Sequence, residues 1–165
     1  MESQEFFELT NPQKSIWYTE EVFKETPVNN ICTSGIIYGE INEDILKQAI
    51  KDVVKQNDSF RIHISLRENE VKQYITEFKD FEIETCIISS KDVLKEIQEK
   101  EASYKFEILD SDLFRFKIAF LKGEFACVIL TVNHIISDSW SMGITIKEIL
   151  KNYNKLKNNE LLEER

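Results

Sequence analysis

The sequence predicts an α+β fold, a mixed β-sheet with helices packed on it in a single lobe, and three observations carry that prediction. "SFRIHISL" alternates Phe60, Ile62, Ile64 and Leu66 with polar residues, the period of a strand with one buried face. "DLFRFKIAFL" and "FACVILTVNH" are apolar runs on either side of a "KGE" turn, which reads as a deeply buried hairpin. Helical stripes fall between groups of strands instead of alternating with them one by one, which argues against a doubly wound parallel sheet.

Taken in order, Thr10 can cap a first helix with Pro12 in its opening turn, and Ile16, Trp17 and Phe23 follow at near-helical spacing until Thr26-Pro27 ends it. "NICTSGIIYGEI" is rich in β-branched and aromatic residues and reads as a strand, weakened by Gly35. Asn42 caps a second helix whose Ile45, Leu46, Ala49, Ile50, Val53 and Val54 form one apolar stripe. After "SFRIHISL", "RENE" is a turn, "VKQYITEF" a returning strand and "FEIETCII" another. Ser89 or Ser90 caps a third helix through about Lys105, and the hairpin follows, its second arm ending at His134. The last helix starts near Ser139 and directs Ile144, Ile149, Leu150, Tyr153 and Leu156 toward the core.

With 165 residues, 42% of them hydrophobic, the chain can bury a substantial core as one domain spanning 1–165, its core at about 9–157 and 158–165 polar enough to fray. Thirty acidic residues against 21 basic ones give a formal charge of −9, which disfavours nucleic acid and anionic lipid as partners. Cys32, Cys86 and Cys127 are odd in number and form no C-x-x-C pair. Apolar neighbours surround Cys86 and Cys127, so buried, reduced thiols and a cytoplasmic location follow as expectations. Widely spaced histidines and cysteines argue against a metal site. The acidic start "MESQEFFELT" is unlike a signal peptide, and no run of about 18 apolar residues exists to cross a membrane.

The stretch with chemical promise is "TVNHIISDSWSMG", Thr131 to Gly143. It lifts His134 to the end of a buried strand, where loops carry function on a rigid scaffold. The residues alone leave two readings open: His134 is a reagent, or it satisfies a buried carbonyl while Asp138 or Ser137 caps the last helix. No glycine-rich phosphate loop exists, and His63, on the polar face of its strand, is the weaker candidate.

"NHIISDSWS" resembles the His-His-x-x-x-Asp-Gly signature of nonribosomal peptide synthetase condensation domains and their chloramphenicol acetyltransferase relatives. "LTNPQKSIWYTEEV" resembles the family's opening helix, "KQNDSFRIHI" its Arg-His-Glu-x-Leu-Arg-Thr-x-Phe segment with Arg61 at the second arginine, and "DSDLFRFKI" its hairpin entry. "PQKSIWYTEE" and "VKQYITEF" are closest to the first condensation domains of lipopeptide assembly lines, which join a fatty acyl group to the first amino acid.

The resemblance implies a chloramphenicol-acetyltransferase-like two-layer sandwich, the N-terminal lobe of a domain whose second lobe is missing here. It implies amide formation between an acyl thioester and a carrier-bound aminoacyl amine, with substrates on phosphopantetheine or CoA and no cofactor bound by this lobe. Carrier domains and an adenylation domain would be the other partners. His134 would be the catalytic histidine, a base or a positioning group. Asp138 would pair with Arg61, and Asn133, Ser139, Trp140 and Ser141 would complete the motif. Asn133 stands where the signature has its first histidine, keeping a donor and an acceptor. Ser139 stands where it has glycine, a strained choice if the position needs positive φ. Two rivals are a small acetyltransferase that closes its site between subunits of a trimer, and a degenerate docking lobe without activity.

Overall fold

The computed structural model describes residues 4–162. A two-residue strand β1 (Phe7–Glu8) leads into α1 (Asn11–Val22), where Thr10 and Gln13 exchange the reciprocal hydrogen bonds of a capping box. Then come β2 (Asn30–Tyr38), α2 (Glu43–Gln56) capped by Asn42, a 3₁₀ turn (Asp58–Arg61), β3 (Ile62–Arg67), β4 (Glu70–Ile75) and β5 (Glu84–Ile88). Ser90 is the residue that caps α3 (Lys91–Ala102), and β6 (Phe114–Leu121), β7 (Phe125–Asn133) and α4 (Ser139–Lys157) complete the chain. Of the numbered elements, only β1 has no counterpart in the pattern read from the sequence.

The strands divide into two sheets. One has the order β2-β7-β6-β5, antiparallel except for the parallel pair β5 and β6; the other has the order β1-β4-β3 and is antiparallel throughout. Alternation shows which face of a strand is buried but not which strand lies beside it. Here the local turn decides. Glu68 and Asn69 both sit in the left-handed region, the backbone of a tight two-residue hairpin, so β3 pairs with β4.

All nine residues of β7 are buried, and alternation sends them to opposite faces. Ala126, Val128, Leu130 and Val132 meet the main core beneath α2 and α4, while Phe125, Cys127 and Ile129 meet Leu94 of α3. The expected layer of helices on the sheet is therefore α2 and α4, and α3 covers the sheet's second face. At about 1.5–3 kcal/mol for each fully buried aliphatic side chain, this strand makes the sheet the stiff element of the lobe. Glu101 near the end of α3 is buried and ion-paired to Arg115 Nε (2.7 Å) and Lys117 Nζ (3.0 Å), which fixes α3 on its face.

Three side chains depart from the sequence reading, and the first is Cys86, expected to be buried and only partly so. Ile144 is 46% exposed, because the core-facing stripe of α4 runs Met142, Ile146, Ile149, Tyr153 and Ile144 falls on the other side of the helix. Leu66 is also exposed, beside the hairpin turn. Helix α4 ends at Lys157; the expectation that 158–165 frays lies, for 163–165, outside the described residues. Among the described residues no helix is long and apolar enough to cross a membrane, and no group of three or more His, Cys, Asp or Glu is placed to hold a metal ion.

Gly35 lets α4 lie close against β2: a Cβ there would stand 2.5 Å from Ile146 Cγ2. Gly35→Ala should therefore destabilise the lobe by about 1–3 kcal/mol through overpacking. Denaturant unfolding would read this as a lower midpoint at unchanged slope. An unchanged midpoint would mean that α4 moves aside freely.

Candidate active site

The site is the turn that follows β7. The Asn133 N–H still bonds Leu113 O (2.9 Å), as a strand residue should. The chain then reverses: Ile136 N donates to Asn133 O (3.2 Å) and Ile135 N to Asn133 Oδ1 (3.0 Å), the side-chain-closed turn that asparagine favours. Ile135 and Ile136 plug into the core, 2% and 7% exposed, and His134 between strand and plug stays on the surface. The geometry thus buries both neighbours of an imidazole and leaves the imidazole outside.

Three groups hold this turn from the α1 side. Gln13, itself buried, donates Nε2–H to Ile135 O (3.1 Å). Asn29 accepts the His134 N–H on its carbonyl (2.8 Å). Glu20 Oε1 accepts from Asn133 Nδ2 (2.7 Å) and Asn29 Nδ2 (3.0 Å). Sequence reasoning singled out none of the three for the site. A signal existed, since Gln13 and Glu20 are seven residues apart, hence on one helix face, the face that Ile16 and Trp17 mark as inward.

Asp138 is the N-cap of α4: its Oδ1 accepts the Ser141 N–H at 2.7 Å. Hydrogen bonds from the Ser141 backbone and side chain hold its carboxyl below the ordinary carboxylate range, against slight desolvation, and the nearby His134 ring adds to the shift. The expected Arg61–Asp138 bridge is not formed. Arg61 donates Nη1–H to Thr76 O (2.7 Å) and pairs through Nη2 with Asp58, three residues back in the same 3₁₀ turn. Each group found its nearest partner: a carboxylate on its own turn for Arg61, the free N–H groups of a helix start for Asp138. Ser139 is the first residue of α4 and carries no positive φ, so serine in place of glycine is unstrained. Trp140 is 80% exposed and Ser141 is also on the surface.

A cavity of about 310 Å³ opens behind the turn, between α1 and residues 105–109; Trp17, Glu20 and Asn133 line it and His134 does not. His134 is exposed, and so are Val28, the residue before its backbone partner Asn29, and Trp140 in the first turn of α4. Chemically, this is an imidazole on a firmly held backbone, able to hold or take a proton from a group presented from outside the lobe. His63 serves elsewhere. It bonds Asp112 (3.0 Å) and Tyr74 (3.4 Å), joining the three-stranded sheet to the strand-entry loop.

Asp138→Ala should lower the unfolding midpoint by about 2–4 °C through the lost cap, and Asp138→Asn, which caps without the charge, should restore most of it. Because folding depresses the carboxyl's pKa, the charged cap's extra stabilisation is complete above the ordinary carboxylate range and disappears as pH falls through the depressed value. The gap between wild type and Asp138→Asn should therefore close on acidification below about pH 4. Combined with Arg61→Ala, the Asp138→Ala effect should add without coupling; a coupling beyond simple addition would revive the bridge.

The profile of the condensation domain family, described as "Condensation domain", matches residues 3–165. Surfactin synthase subunit 1 of Bacillus subtilis (strain 168) is 31% identical over 92% of this chain, and bacitracin synthase 3 of Bacillus licheniformis is 25% identical over 93%. The chain spans only 4% and 2% of the length of those two relatives. The crystal structure of the starter condensation domain of rhizomide synthetase superposes with a TM-score of 0.90 at 15% identity, covering 98% of this chain and 40% of that one. The first condensation domain of the calcium-dependent antibiotic synthetase gives 0.89 at 12% identity, covering 99% and 42%. The fold that the resemblance implied is the fold found, and with a family profile matched from residue 3 to residue 165 the chain belongs to the condensation domain family.

Proposed function

We propose that this chain is the N-terminal lobe of a nonribosomal peptide synthetase condensation domain of the lipopeptide starter type, which joins an acyl thioester, of the fatty acyl class in that type, to the amine of a carrier-bound amino acid. The single observation that carries this is His134, exposed at the end of the most buried strand with both neighbours turned inward, in a chain that the family profile matches from end to end. The starter reading draws support from the solved domains it resembles. One of them, the rhizomide synthetase starter domain in mutant form, is in complex with C8-CoA and Leu-SNAC.

In this reaction the amine nitrogen attacks the thioester carbonyl, the C–N bond forms, the C–S bond breaks and the thiol departs. His134 meets the amine, taking its proton or orienting its lone pair. Orientation alone is worth roughly 7–11 kcal/mol in well-placed reactions, so either role is substantial. The start of α4 presents backbone N–H groups, Ser139's among them, at the same end of the sheet, where charge developing on the carbonyl oxygen would find donors. Asn133 and Ser139 leave the turn intact, since one is satisfied on both sides and the other is unstrained. That favours a working lobe over a degenerate docking module.

The missing wall of the site belongs to a second lobe, with phosphopantetheine arms of carrier domains, or CoA, delivering substrates and an adenylation domain supplying the amino acid. Open surface around His134 fits a lobe that is inactive alone, and the cytoplasm is the fitting compartment for three free thiols.

In the complete domain, His134→Ala should lower amide formation by about 10²-fold or more, and loss of the acidic limb of the pH–rate profile in that variant would assign the imidazole as the base, an unchanged profile as a positioning group. No drop at all would sink the proposal. The isolated chain should show no thioester aminolysis above background and a one-chain mass in solution. A stable trimer with acetyl-transfer activity would instead support the self-sufficient acetyltransferase.

A further inference from the structure

We propose that Glu20 is a positioning residue for His134. Its Oε1 is the common acceptor of two amides, Asn133 Nδ2 at 2.7 Å and Asn29 Nδ2 at 3.0 Å. Those two residues are the ones that hold the His134 backbone. Asn133 precedes it in the chain, and Asn29 accepts its N–H at 2.8 Å. The Asn133 amide cannot turn away without loss, because its Oδ1 is committed to the Ile135 N–H at 3.0 Å. One carboxylate oxygen thus joins the two strand ends that flank the imidazole.

The chemistry favours a carboxylate here. Hydrogen bonds to an ionised acceptor are roughly twice as strong as neutral ones, and a carboxylate oxygen has lone pairs for two donors. Glu20 stands on the same face of α1 as Gln13, which holds the far side of the turn at Ile135 O. Helix α1 therefore grips the turn before and after His134. With its backbone fixed on both sides, the imidazole is left with side-chain rotation alone, and catalytic groups need placement within about 0.5 Å.

This inference rests on the reading of His134 as the group that meets the amine, but its test reads the backbone and not turnover, so each can fail alone. The measurement is residue-resolved amide hydrogen exchange by ¹⁵N NMR on the 165-residue chain. Glu20→Ala should speed exchange of the His134 N–H by about tenfold or more while Val128 and Leu130 in mid-strand stay within about twofold, the mark of local opening. Glu20→Gln, which still offers a side-chain oxygen, should remain within about threefold of wild type at His134. Asn29→Ala, which removes one of the two donors to Glu20, should give a smaller rise there; should Glu20→Ala fail to fold, this variant decides. The proposal is overturned if His134 exchange is unchanged in Glu20→Ala, if it rises equally along all of β7, if Glu20→Gln matches Glu20→Ala, or if Asn29→Ala has no effect.

Discussion

The turn after β7 can exist as it does because α1 satisfies it. A strand that ends in the core leaves backbone and amide groups with no ladder partner, and each would be costly if left unpaired. Gln13 takes the Ile135 carbonyl, Glu20 takes the Asn133 amide, and the Asn29 carbonyl takes the His134 N–H. With these bonds made, Ile135 and Ile136 can be buried and His134 can project. The opening helix and the signature turn are more than a hundred residues apart in sequence yet form one unit in space.

The same arrangement shows how the fold accommodates the two departures from the family signature. Asparagine at 133 must only accept from Ile135 N and donate to Glu20, which an amide does without titrating. Serine at 139 begins a helix, where its backbone is ordinary. Asp138 then works within α4, not across to β3. Its carboxylate is used by the helix it starts, and the rigidity of the site comes from α1 and the buried strand, not from an ion pair with Arg61.

Much of this was legible in one dimension. Composition, period-two alternation and apolar stripes gave the helices and nearly every strand in order, because burial imposes its period on the chain directly. The caps Thr10 and Asn42, and Ser90 as one of two adjacent serines, were readable for the same reason: their partners lie three residues away. His134 stood out because a polar residue at the end of a nine-residue buried run is conspicuous.

Tertiary structure alone decided what depends on distant neighbours. That β1 joins the β3–β4 hairpin in a sheet separate from the larger one, that α3 takes the larger sheet's second face, and that Glu20 and Gln13 hold the turn could not be read from local spacing. The absence of an Arg61–Asp138 bridge could not be read either, although the partners that replace it, Asp58 for Arg61 and the start of α4 for Asp138, lie three residues away, and the cap at Asp138 was one of the readings the sequence left open. A charge pairs with whatever the fold brings within a few ångströms, and two residues 77 positions apart carry no local mark of meeting or of missing each other. The sequence determined the elements and the exposed imidazole; the assembled lobe determined what holds that imidazole in place, because local periodicity is written in the chain and long-range contact is not.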